Sequence, residues 1–367
     1  MLALRRSEPP SPSFPAMNQS AFALAPGPVM VDVAGTTLTE SEIARLQHPL
    51  TGGVILFARN FSSRAQLEEL VQGIHAARDE PLLVAVDHEG GRVQRFRTDG
   101  FTHLPPMRAL GAVWDRDPLE AQRLATSTGY VLAAELRACG VDLSFTPVLD
   151  LDYQRSGVIG DRAFHSDPRI TAQLARALIQ GLSLTGMAAC GKHFPGHGYA
   201  EADSHHALPV DERSLDDILS ADAAPYAWLG DAVLPSVMPA HVVYPAVDRH
   251  PAGFSSLWIR DILRTRLGYD GVVFSDDLTM EGATVAGDIL ARALAALGAG
   301  CDMVLVCNRP DLADELLERL NVQHDSASVA RLRRLQPRFA APDWDDLQSE
   351  LRYQRALADI RSLQSGG

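Results

Sequence analysis

Short apolar runs rich in β-branched residues alternate along this chain with amphipathic segments of helical period. The runs occupy 29–33, 54–57, 82–86, 141–147, 187–193, 233–240, 272–275 and 303–307, each bounded by turn-forming residues as strands are. Most are apolar at every position instead of alternating, which is the pattern of a parallel strand covered on both faces. The intervening segments carry helix punctuation. Thr39-Glu40-Ser41-Glu42 reads as a capping box opening a helix to about Leu50. Asp117-Pro118 and Asp167-Pro168 each put a cap residue before a proline suited to the first turn, and Gly140 and Gly186 stand where those helices would stop.

Eight such units between residues 29 and 307 imply right-handed crossovers, a parallel sheet and a single closed (β/α)8 TIM barrel of the α/β class. An open doubly wound sheet with a nucleotide site is the alternative, but no GxGxxG or P-loop supplies its phosphate cradle. Beyond Arg309, Leu312, Leu316, Leu317 and Leu320 recur at helical spacing, and a further helical run covers 344–363. These predict C-terminal helices that close the barrel, so residues 27–367 form one catalytic domain. Residues 1–26, rich in Pro, Ser and Ala, read as a disordered extension whose apolar stretch at 21–25 is too short for a signal-peptide core; Met17 offers a second start.

Charge narrows the partners. With 46 acidic and 33 basic residues the net charge is −13, which repels a nucleic-acid backbone and an anionic membrane surface. No run reaches the eighteen or so apolar residues of a membrane span, and a cytoplasmic protein is expected. Cys139, Cys190, Cys301 and Cys307 lie in apolar stretches without CxxC spacing and are expected as buried free thiols.

In a barrel of this kind the chemistry comes from the carboxyl ends of the strands, and the unusual polar residues fall there. Asp87, Glu89, Arg92 and Arg95 follow the third run; Asp150, Asp152, Asp161 and Arg162 follow the fourth; Lys192, His193 and His197 close or follow the fifth; His241 follows the sixth; Asp276 and Asp277 end the seventh; Asn308 follows the eighth. Any one of these suits a helix cap or a turn. Six coincident strand ends favour a site. The densest stretch runs from Lys192 through His197 to Asp203, Ser204, His205 and His206. Asp203 and His205, two apart in a tight turn, can pair, and a carboxylate beside an imidazole suits a proton shuttle near neutral pH. The same histidines with Asp203 can also coordinate zinc, although their spacing fits neither an HExxH helix nor a finger.

The motifs KHFPGHG…DSH, VAVDHEGGRVQR, GDRAFH, MPAHVVY and VVFSDDLTM together resemble the bacterial cytoplasmic β-N-acetylglucosaminidases of peptidoglycan recycling in glycoside hydrolase family 3, over about residues 27–308. The resemblance implies Asp276 as nucleophile, His205 and Asp203 as the acid/base dyad, and Asp87, Arg95, Arg162, Lys192 and His193 as contacts to the terminal sugar. It implies retaining double displacement on a muropeptide or anhydro-disaccharide, with no cofactor and no metal, by a monomer. Position 88 departs from the family pattern, His for Gln, and position 163 carries Ala for Ser; both are expected to tune the sugar pocket. The glycines at 191, 196 and 198 suggest a loop that closes over sugar. Rival readings are a metal-dependent hydrolase, catalysis assisted by the substrate's acetamido group, phosphorolysis, and a sugar-binding barrel without turnover.

Overall fold

The computed structural model describes residues 25–201, 208–322 and 325–365. Ten strands appear in chain order: β1 (Val29–Asp32), β2 (Thr51–Leu56), β3 (Leu83–Val86), β4 (Leu143–Ser144), β5 (Ala188–Phe194), β6 (Ser236–Pro239), β7 (Val243–Tyr244), β8 (Asp248–Pro251), β9 (Val272–Asp277) and β10 (Met303–Leu305). Eight of them close into a parallel barrel in the order β1-β10-β9-β6-β5-β4-β3-β2. The remaining two, β7 and β8, form an antiparallel hairpin.

Side chains on successive strand positions point to opposite faces, and the core divides accordingly. Met30, Ile55, Leu83, Ala85, Val272, Phe274, Met303 and Leu305 fill the barrel interior. Their neighbours Val29, Val31, Val54, Leu56, Val84, Val86, Val273 and Val304 pack outward against the helices. Both faces of each strand are therefore dry, which is why the runs show no polar alternation.

The punctuation acts as its residue types demand. Thr39 and Glu42 make the reciprocal capping box on Glu40–Leu46. Asp117 caps Pro118–Ala138 and Asp167 caps Pro168–Ser183. Gly140 follows the first of these helices at φ 84° and Gly186 the second at φ 80°, in the left-handed region glycine tolerates. Leu332 on the helix Ser326–Arg333, with Leu335 just after it, joins the interior cluster and closes the amino end of the barrel. The last helix, Leu351–Ser365, lies on Pro118–Ala138, where Tyr353 donates to the buried Glu135. Burial outweighs the hydrogen bonds from Thr102 and Tyr353 and pushes the Glu135 carboxyl up to about 7. All four cysteines are buried and free, and among the described residues no helix is long and apolar enough to cross a membrane.

The sixth strand is Ser236–Pro239, shorter than the run 233–240, and the last helical run is two helices, Trp344–Ser349 and Leu351–Ser365; two further differences concern the fourth strand and a hairpin. The fourth strand is two residues long instead of seven, because Pro147 lacks a donor; the chain nonetheless continues beside β5, with Leu149 N–H donating to the Lys192 carbonyl at 2.6 Å. The hairpin was not foreseen, since its second strand, Asp248–Pro251, is mostly polar and partly exposed. It braces the loop after β5: the Tyr244 hydroxyl donates to the Gly196 carbonyl at 2.7 Å.

The glycines at 191, 196 and 198, from which a hinged loop closing over sugar was expected, stand in close contact with their neighbours. A Cβ on Gly191 would meet Leu149 and Leu234 at 2.8 Å, one on Gly196 would meet Asp222 at 2.5 Å, and one on Gly198 would lie 1.9 Å from the Leu151 carbonyl oxygen. These glycines permit close packing of a buried segment. Gly198→Ala is therefore expected to destabilise the fold by about 1–3 kcal/mol, the cost of overpacking, read as a lower urea midpoint. An unchanged midpoint with altered turnover would restore the hinge.

Candidate active site

Seven of the eight barrel strands deliver chemistry to one cavity of about 530 Å³ at their carboxyl ends, a size within the usual range for small-molecule sites. Its floor is the top of the barrel interior: Ile55, Phe145, Met238 and Leu305. A larger cavity of about 780 Å³ sits at the opposite end, but Arg264 and Arg331 there are already spent on Asp270, Asp302 and backbone carbonyls. The strand-end charges singled out from the sequence gather at the carboxyl end.

One wall is an ion cluster. Lys192 Nζ lies 2.7 Å from Asp87 Oδ1 and 2.7 Å from Glu89 Oε1. Arg162 grips Glu89 with two parallel bonds, Nε to Oε2 at 2.9 Å and Nη2 to Oε1 at 2.8 Å. Arg95 stands 3.5 Å from Asp87 and over the Phe57 ring. Only 3% of the Lys192 side chain and 3% of that of Glu89 is exposed, so these charges persist only because they are paired. Burial alone would raise the Glu89 carboxyl, but Arg162 and Lys192 hold it far below the usual carboxylate range. Asp87 behaves likewise, with Lys192 and Arg95 overcoming its burial. Lys192, in turn, is held charged against burial by Asp87 and Glu89.

The end of β5 carries His193, whose Nδ1 is 2.7 Å from Asp150 Oδ2; the Lys192–His193 peptide is cis. Both His193 and His197 line the cavity. Asp276 ends β9 on the same cavity, its Oδ1 accepting the Asp277 N–H at 2.8 Å. The adjacent Asp277 also lines the cavity, but its side chain is engaged in three hydrogen bonds, from Thr279 N–H, Thr279 Oγ1 and Cys307 N–H. Burial, against those bonds, pushes its carboxyl up to about 6. Behind them His241 stacks on Phe254 and its Nε2 contacts the Asp277 carbonyl at 3.1 Å. Burial lowers its pKa, keeping the ring neutral.

The structure thus brings together Asp87, Arg95, Arg162, Lys192, His193 and Asp276 around one cavity. Asp203 and His205 lie outside the described residues. Among the described residues no group of three His, Cys, Asp or Glu side chains is placed to hold a metal; the cluster considered from sequence includes 203, 205 and 206 and falls largely outside them. His88 does not face the sugar pocket: its ring lies against Phe96 and Phe101, and burial lowers its pKa to about 3. Ala163 packs with Val148 and Ile159. Neither lines the cavity, so the expected tuning of the pocket has no direct route.

Glu89 and Asp150 were visible as strand-end carboxylates but received no role. The signal for Glu89 was its spacing: two residues beyond Asp87, it returns to the same side of an extended chain.

Charged side chains gathered in one cavity at the carboxyl ends of a closed parallel barrel are the arrangement of a barrel enzyme. Residues 29–335 match the glycosyl hydrolase family 3 N-terminal domain. A β-hexosaminidase of Bordetella avium is 76% identical over 343 residues, 94% of this chain and 97% of that protein. One from Aromatoleum aromaticum is 61% identical over 337 residues, 92% of this chain and 95% of that protein. The crystal structure of NagZ from Neisseria gonorrhoeae in complex with N-trifluoroacetyl-D-glucosamine superposes with a TM-score of 0.88 at 49% identity, covering 93% of this chain and 98% of that one. The chain belongs to glycosyl hydrolase family 3 and, within it, to the β-hexosaminidases.

The cluster predicts a coupled loss. Glu89→Gln leaves Arg162 and Lys192 short of a charge, which is expected to cost about 3 kcal/mol of stability and to raise KM for an aryl N-acetyl-β-glucosaminide. Because the folded carboxyls of Asp87 and Glu89 are depressed, the stability they add is complete above the ordinary carboxylate range near about 4 and is lost as pH falls toward their folded values. Tm of the unaltered enzyme should therefore fall below about pH 4, with a shallower fall in Glu89→Gln. Parallel acid limbs in the two proteins would contradict the assignment.

Proposed function

We propose that the protein is an exo-acting, retaining β-N-acetylglucosaminidase that removes terminal non-reducing β-1,4-linked N-acetylglucosamine from peptidoglycan fragments in the cytoplasm, working as a monomer in cell-wall recycling. The observation that carries this reading is the shared cavity, in which Asp276 and the Asp87–Lys192–Glu89–Arg162 cluster line the same space. The cluster supplies fixed partners for the hydroxyls of one sugar. That leaves Asp276 as the carboxylate free to meet its anomeric carbon. A Neisseria gonorrhoeae relative that binds N-trifluoroacetyl-D-glucosamine supports N-acetylglucosamine as that sugar.

The reaction proceeds in two displacements. Asp276 attacks the anomeric carbon and forms a glycosyl ester as the bond to the aglycone oxygen breaks; His205, oriented by Asp203, gives that oxygen its proton. His205 then takes a proton from water, which attacks the same carbon and releases the sugar with its configuration retained. The roles of Asp203 and His205 rest on the DSH motif. The aglycone, 1,6-anhydro-N-acetylmuramic acid with or without peptide, rests on the family resemblance.

Two outcomes test the reading. N-acetylglucosamine should be released from the anhydro-disaccharide at least about a hundredfold faster than glucose from an aryl β-glucoside, a margin set by a site built for the substrate's polar groups; comparable rates would overturn the substrate. His205→Ala should slow substrates with poor leaving groups by about a hundredfold or more, while sparing activated aryl glycosides. Equal losses on both would remove His205 from acid/base duty.

A further inference from the structure

Asp150, at the mouth of the barrel, is a wholly buried carboxylate that the reaction above does not use, with 0% of its side chain exposed. It lies in the segment after β4, and its hydrogen bonds run to the end of β5 and the loop that follows. Oδ1 accepts the backbone N–H of His193 at 3.2 Å and that of His197 at 2.7 Å; Oδ2 faces His193 Nδ1 at 2.7 Å. Burial raises the Asp150 carboxyl, but the two histidines overcome this and hold it below its ordinary value. It is therefore an ionised acceptor. An acceptor opposite Nδ1 holds the ring proton on Nδ1, and whenever the ring carries a single proton Nε2 is left with its lone pair.

That lone pair has a use. Arg95, Arg162 and Lys192 on the opposite wall are donors only, and much of the acceptor capacity of Asp87 and Glu89 is already spent on them. A sugar hydroxyl that accepts from one of these cations still needs an acceptor for its own proton. We propose that Asp150 is a positioning residue of this active site, fixing His193 as the Nδ1–H tautomer so that Nε2 accepts a hydroxyl proton from the bound sugar. The inference rests on reading His193 as a sugar contact. It extends that reading by naming the direction of the hydrogen bond and the group that sets it.

Asp150→Asn separates position from chemistry. Two backbone N–H groups converge on the Oδ1 side, so the amide oxygen stays there and the NH2 turns toward His193 Nδ1. The ring must then accept at Nδ1 and carry its proton on Nε2, facing the sugar with a donor where an acceptor is needed. With an aryl N-acetyl-β-glucosaminide, Asp150→Asn should lower kcat/KM by about ten- to a hundredfold, the usual effect of losing a group that orients another, mainly through KM. In a His193→Ala background the same change should cost nothing further, because a residue that acts only through His193 has nothing left to act on.

If His193→Ala alone leaves kcat/KM unchanged, His193 is no sugar contact and the inference falls with that reading. If His193→Ala is impaired but Asp150→Asn is not, or if the two losses multiply in the double variant, only the positioning role falls. Should Asp150→Asn fail to fold, the unaltered enzyme decides. Nitrogen-15 NMR of histidine-labelled protein, with His193 assigned through His193→Ala, should show a proton on Nδ1 and none on Nε2; a proton on Nε2, with or without one on Nδ1, would overturn the proposal.

Discussion

The ammonium of Lys192, 2.7 Å from both Asp87 and Glu89, is the contact on which the mouth of this barrel depends. It arises at the end of β5, while its two partners follow β3. Joining them draws the ends of non-adjacent strands over the top of the apolar interior. Arg162, contributed from beyond β4, completes the arrangement by taking the other face of Glu89. In so dry a place the attraction of each pair is large, but so is the cost of stripping water from each charge. Every member must be present for the others to be tolerated. A substrate hydroxyl arriving there meets groups that are already desolvated and fixed, and little ordering remains to be done on binding.

The barrel beneath makes that cluster possible. Because strand residues alternate between an interior layer and an outer layer that are both apolar, the parallel sheet is dry on both sides and its strand ends are held in register. The top of the interior layer, Phe145 and Met238 among others, becomes the floor of the cavity. Polar residues at the last positions of the strands, or just past them, then reach the cavity. Asp276 is the clearest case: the chain is apolar through Phe274, turns polar at Ser275, and presents Asp276 to the cavity while Asp277 is engaged in the Thr279 and Cys307 hydrogen bonds.

Legibility followed from how local each signal is. The eight barrel strands and the helix caps were readable because burial on two faces and the capping of orphan N–H groups each leave a mark within a few residues. The hairpin of β7 and β8 was not, since its strands are short and the second is mostly polar. The glycines of the 191–198 segment were read as freedom for a closing loop. What they serve is contact with Leu149, Leu151, Leu234 and Asp222, which local sequence does not reveal. Glu89 and Asp150 were seen at strand ends, yet their roles depend on partners more than forty residues away in the chain. The sugar contacts and the acid/base pair became specific only through the family motifs.

The central claim is that the fixed cluster presents one sugar to Asp276, which bonds to it. Incubating the enzyme with a fluorinated N-acetylglucosaminyl donor that forms the glycosyl ester quickly and hydrolyses it slowly, then mapping the protein by peptide mass spectrometry, tests this most directly. The account predicts a single glycosyl adduct on Asp276. Turnover of the donor with no adduct, or an adduct on any other residue, would contradict it.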